Sequence, residues 1–128
     1  MMALLTLAAA SADLDALDQA VTRCDRSAAN PVFSGEAARR SQFLLDAYRE
    51  QETIVNDQLA LADQRRSLRE AGPVKTAEQK KLDFQQSALE DRQRALNDKR
   101  MLEGIRQDAM DNMRRYFLNN CPAGKSDK

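Results

Sequence analysis

The sequence predicts an all-α protein: a long antiparallel helical hairpin, coiled-coil-like, with a short N-terminal helix packed at its base and one disulfide closing it. Three observations lead there. Four Gly and three Pro in 128 residues are too few for a fold of many strands and turns, while Ala, Leu, Gln, Arg, Asp and Glu dominate. Apolar residues recur at steps of seven along two stretches separated by Ala71-Gly72-Pro73. The two cysteines, Cys24 and Cys121, stand at the far ends of those stretches.

Residues 1–12 read MMALLTLAAASA, an apolar run closed by Ala10-Ser11-Ala12 before the acidic start Asp13-Leu14-Asp15. The small residues fit a signal-peptidase site with cleavage between Ala12 and Asp13. No Lys or Arg precedes Arg23, so a basic head is missing and the expectation is a truncated signal peptide. The competing reading is a short apolar turn leading into the first helix. The run is too short to span a bilayer.

A single helical domain is expected over residues 13–122, followed by a flexible tail over 123–128. Its first helix, 13–28, carries Leu14, Leu17, Val21, Cys24 and Ala28 on one stripe, with Asp13, Asp15 and Asp18 at its positive end. Asn30-Pro31 is expected to break it, and Ser34 to cap the next helix. That helix, 35–70, carries Ala47, Ile54, Leu61 and Leu68, flanked by Leu44, Tyr48, Val55 and Leu59. Gly72 suits a left-handed stop and Pro73 prevents continuation. Thr76 with Gln79 has the form of a capping box, opening a third helix over 77–119 with Leu82, Leu89, Leu96, Glu103, Met110 and Phe117 in step. Glu36 with Arg40, Glu90 with Arg94 and Asp111 with Arg115 are spaced to pair on exposed faces.

At 1.5 Å per residue the second and third helices measure roughly 55 and 65 Å, so the third overshoots by about 10 Å toward the level of Cys24. A Cys24–Cys121 bridge then closes a loop of about a hundred residues, and in a chain-entropy account stabilises by roughly 4 to 5 kcal/mol. The spacing is nothing like C-x-x-C and Cys24 lies on an apolar stripe, which favours a structural bridge over a redox switch. A bridge also implies an oxidising compartment, periplasmic or secreted.

Folding the sequence about Gly72-Pro73 brings Phe33, Phe43, Leu44, Leu45 and Tyr48 near Met101, Leu102, Ile105, Met110, Met113, Tyr116 and Phe117, with the first helix alongside, an expected core at the base. Gly104 is expected to make room there for Phe43 or Leu44, and Met101, Met110 and Met113 to fill gaps. Toward the turn, the step positions become Gln51, Gln58, Arg65, Gln85, Arg92 and Lys99, so the seam is wet and shielded by long charged side chains. Phe84, with Leu61 and Leu89, is the candidate partner contact in that half. The bland alternative is that Phe84 packs on the facing helix.

The excluded chemistry is broad. Acidic and basic residues balance at 20 each and intermix, so no basic footprint for nucleic acid or an anionic membrane arises. Histidine is absent, which removes the commonest general base and a leading metal ligand, and two cysteines cannot complete a four-thiolate zinc site. No Gly-rich phosphate loop or metal-binding loop occurs. No catalytic residue, cofactor, metal or small-molecule substrate is expected. In outline, a short base with a long helical hairpin resembles periplasmic holdase chaperones that grip clients with coiled-coil arms. That resemblance implies a non-enzymatic, exported protein acting on a protein partner, as a holdase or adaptor. The alternative is a structural or self-associating envelope coiled coil without a client.

Overall fold

In the computed structural model the described residues, 13–73 and 76–122, form three helices and no strand. Helix α1 covers residues 13–22, α2 runs Arg26–Glu70 and α3 runs Thr76–Asn120. Helices α2 and α3 pack as a hairpin, α1 packs at its base, and Cys24 is bonded to Cys121. The expected signal segment 1–12, with Ala12 of the cleavage position, and the tail 123–128 lie outside the described residues. Packing divides the described residues into two compact units, 13–41 with 103–122, and 42–73 with 76–102.

In the first unit, Leu17, Ala20 and Val21 of α1 share one core with Ala29 of α2 and with Met110, Phe117 and Cys121 at the end of α3. Leu14, Phe33 and Met113 pack against it, and the Phe33 and Phe117 rings lie 5.7 Å apart. Helix α1 ends in a left-handed turn. Asp25 N–H donates to Ala20 C=O at 2.8 Å and Cys24 N–H to Val21 C=O at 3.2 Å, with Cys24 at φ 52°. These are the two bonds of a Schellman stop, with cysteine at the position glycine ordinarily takes. A side chain in that conformation costs about 1 kcal/mol or more.

The break therefore falls at residues 23–25, and the expected end of the first helix at Ala28 and stop at Asn30-Pro31 are corrected: Pro31 lies inside α2. The cap is Asp25, not Ser34. The Asp25 carboxylate accepts Ala28 N–H at 3.2 Å and the Ser27 hydroxyl at 2.8 Å, while its carbonyl accepts Ala29 N–H at 2.9 Å. Ser34 instead donates its hydroxyl to the Asn30 carbonyl. A proline in a helix interior costs about 3 kcal/mol. The cap, together with burial of Ala29 and packing of Phe33, outweighs that cost.

The base core is built with α1 alongside, as expected, but the expected cluster is corrected in its membership. Leu44, Leu45, Tyr48, Met101, Leu102, Ile105 and Tyr116 are all exposed. On a helix of 3.6 residues per turn, Leu44 and Tyr48 lie about a quarter turn from the Ala47–Ile54 line, so they cannot reach its seam. Met110 is buried and Met113 packs on the core, but Met101 is no filler. A Cβ placed at Gly104 would meet nothing within 4 Å, so the glycine makes room for neither Phe43 nor Leu44.

In the second unit the step-of-seven residues form the seam. Ala47, Ile54 and Leu96 make one cluster with Phe43, and Leu61, Leu82 and Leu89 another with Leu68. Within each cluster polar side chains also join the helices. Gln51 and Gln93 exchange amide hydrogen bonds at 2.8 and 3.0 Å, Arg100 donates to Gln51 at 3.2 Å, and Arg65 pairs with Asp83 at 2.9 Å. Helix α2 ends at Glu70 and Gly72 takes φ 110°, open only to glycine without strain.

Helices α2 and α3 are 45 residues each, so the expected overshoot of the third helix is absent. The bridge forms for a different reason. Cys24 sits two residues before Arg26 and Cys121 directly after Asn120, and their Cα atoms are 5.4 Å apart. Arg26 reinforces that end, donating Nη2–H to the Cys121 carbonyl at 2.8 Å with its guanidinium 5.4 Å from the Phe117 ring centroid. A cation there satisfies an end carbonyl of α3 and meets the negative pole of its dipole.

Candidate functional site

Three arrangements could carry function: a buried charge layer, a cleft beside the seam, and exposed apolar side chains.

The charge layer lies in the first unit. Glu36 and Glu103 are both 8% exposed, Glu103 at a step-of-seven position where an apolar residue is expected. Arg39 Nη2 lies 2.7 Å from Glu36 and 2.6 Å from Glu103. Arg40 pairs with Glu36 at 2.9 Å and with Asp111 at 2.8 Å, and Gln107 donates to Glu103 at 2.9 Å. Of the expected exposed pairs, Glu36–Arg40 forms, whereas Asp111 takes Arg40 and Arg94 takes Asp91. Hydrogen bonding from Arg39 holds the Glu36 carboxyl down at about 2, against the opposing effect of burial, with Arg40 adding to it. For Glu103, burial favours the neutral form, but the hydrogen bonds from Arg39 and Gln107 outweigh it and the carboxyl is lowered. Carboxylates fixed as ions by saturated arginines neither take nor give protons near neutrality, so the layer is an electrostatic clasp and not acid–base machinery.

The cleft lies in the second unit, about 390 Å³, between Asp46, Ala47 and Glu50 on α2 and Arg92, Ala95 and Lys99 on α3. Its main cation is already engaged. Arg92 bonds Asp57 at 2.9 Å and Glu50 at 3.0 Å, and both raise its basicity, Asp57 the more. Among the described residues no group of three or more His, Cys, Asp or Glu could hold a metal ion, and no helix is long and apolar enough to cross a membrane.

The apolar side chains of the second unit divide differently from the sequence expectation. Leu61 and Leu89 are buried in one cluster, so in this structure they present nothing to a partner. Phe84 is 77% exposed and does not pack on the facing helix. Of the three candidate contacts, Phe84 alone is on the surface. A more extended feature lies outside the expected contacts: Leu44 and Tyr48, both 66% exposed, and Val55, 41%, with Leu59, 65%, lie along one side of α2 as two apolar pairs with Gln51 and Glu52 between them. Its signal was in the sequence as a second set of apolar residues, spaced four, seven and four, offset from the seam by about a quarter turn. Read with the seam, those residues pass for its flanks. They lie beside the seam, about a quarter turn from the line that meets α3.

These placements stand without a precedent: no family model, no curated protein and no solved structure matches the chain.

Proposed function

We propose that this is an exported, non-catalytic helical protein that acts by holding other protein surfaces against the outer face of α2, in the periplasm or outside the cell. The observation that supports it most is the face itself. Leu44, Tyr48 and Leu59 stand about two-thirds exposed on a continuous helix, whereas residues without a binding role at such spacing are ordinarily polar. The disulfide supports the compartment, since bridges persist where surroundings are oxidising. An adaptor or holdase role follows from a helix face offered to a partner helix or an apolar segment.

The test places a photo-crosslinking residue in the full chain in its host. Positions 48 and 59 are expected to yield protein adducts, and position 53, on the opposite side of α2, none. Absence of adducts at 48 and 59 removes the reading. Intact mass beginning at Asp13 with no free thiol checks the export half; a retained Met1 with two free thiols rejects it.

A further inference from the structure

The exposed face of α2 has a symmetry that a client-binding surface does not need. Leu44, Tyr48, Val55 and Leu59 are spaced four, seven, four, so the order reads the same in both directions. The midpoint lies between Gln51 and Glu52. A second α2 laid antiparallel on the first about that midpoint sets Leu44 of each copy on Leu59 of the other, and Tyr48 on Val55 of the other. That is the property of an isologous interface, where residue i meets j and j meets i.

We infer that the occupant of this face is a second copy of the chain, paired through antiparallel α2 helices about a two-fold axis beside Gln51 and Glu52. The inference rests on the proposal that the face is a protein contact, and it names the partner. Three further observations favour a copy. The face between Leu44 and Leu59 is almost free of charge: on the side nearer α3 it carries Ala47, Gln51 and Gln58, and on the other side Leu45, Glu52 and Asn56. The symmetry therefore brings one like-charged pair together, Glu52 and its copy on the rim beside the axis, but no block of like charge. Antiparallel helices also set opposite dipole ends side by side, which parallel copies do not. The area is adequate but small: four side chains per copy with their rims bury on the order of 1,000 Å² in total, near the lower limit of specific interfaces. A contact of that size gives a concentration-dependent dimer with a dissociation constant of roughly micromolar order.

The substituted side chains are exposed, so the variants test contact and not folding; circular dichroism verifies this. The oxidised full-length protein is followed by sedimentation equilibrium at low ionic strength, from roughly 1 to 200 µM, a range bracketing that expected constant. The wild type is expected to move from one chain mass toward two. L44E and L59E should each weaken the dimer by tenfold or more. The double variant L44K/L59E brings the introduced lysine opposite the introduced glutamate at both ends of an antiparallel pair. L44E/L59E brings like charges together there. L44K/L59E should therefore dimerise at least tenfold more tightly than L44E/L59E. In a parallel, in-register pair both doubles bring like charges together, and no difference arises. A wild type that stays monomeric over the whole range, single variants that dimerise as well as wild type, or doubles that do not differ each overturn the inference. If the wild type is monomeric while position 48 still crosslinks to other proteins, the contact proposal survives and the copy does not. If neither is seen, both fall.

Discussion

Arg39 lies 2.6 Å from Glu103, joining α2 to a carboxylate that occupies a step-of-seven position of α3. The same guanidinium holds Glu36 at 2.7 Å, so one cation bridges two nearly buried anions, with Arg40 as a second partner of Glu36. Removing the cation and removing an anion have unequal effects. Arg39→Ala leaves Glu103 hydrogen-bonded to Gln107 but without its arginine, while Glu36 keeps Arg40, and is expected to destabilise by about 1 to 3 kcal/mol, discounted from a fully buried pair because Arg39 itself is about one-third exposed. Glu103→Leu restores the apolar step and leaves Arg39 its Glu36 partner, so it should be near neutral or stabilising. Urea unfolding of both variants decides it; equal losses would show that the layer is a cooperative unit and not a cation-centred clasp.

Acid acts on the same residues. The Glu36 carboxyl is at about 2 in the fold against an ordinary value near 4.5, and Glu103 is lowered in the same direction. A depressed folded-state value contributes stability that is present above the unfolded value and lost as pH falls through the folded one. Urea midpoints should hold steady from pH 7 to about 5 and then fall between about 4.5 and 2. Glu36→Gln should start lower at pH 7 and lose less across that window. A wild-type midpoint flat down to pH 2 contradicts this account.

The bridge closes a sequence separation of 97 residues, for which chain entropy gives roughly 4 to 5 kcal/mol. Reduction, or the C24S/C121S variant, should lower stability by that order and remove hydrogen-exchange protection first from α1. Because Cys24 is in the left-handed region, C24G/C121S should be more stable than C24S/C121S by about 1 kcal/mol. If the two double variants melt together, the φ of 52° carries no strain once the bridge is gone.

Pro31 has no N–H to offer the Ser27 carbonyl, one turn earlier in α2. Pro31→Ala supplies the missing donor and removes the ring, and is expected to raise stability by about 1 to 3 kcal/mol. Thermal unfolding measures the gain. A loss would mean that the ring contributes packing which outweighs the hydrogen bond.

What the sequence made legible is what depends on periodicity and on punctuation of one sign. The seam Ala47–Ile54–Leu61 against Leu82–Leu89–Leu96 follows from steps of seven, and the stop before Gly72 from a residue with no competing use. Pro31 reads as a break by local preference, but the Asp25 cap and the burial of Ala29 together overrule it, and neither is visible from the proline itself. The hidden stop at Cys24 gave no signal, since cysteine is not a left-handed residue by preference and only the bridge explains it there. Hydrophobicity alone does not separate Leu44 and Tyr48 from the core residues; a quarter turn of helix does, and it keeps them from the seam. The contact candidates divide the same way: Phe84 is exposed, while Leu61 and Leu89 are buried by the pattern that drew attention to them.

The bridge also determines how the chain bears load. Tension applied between residue 24 and residue 121 passes through the sulfur–sulfur bond, and the loop between them, including all of α2 and α3, carries none of it. A pull on the two ends can unravel α1 and then stops. Whatever is tethered to those ends, the face of α2 stays folded under force until a reductant opens the bond, and the extensible length of the molecule is thereby a chemical variable and not a mechanical one.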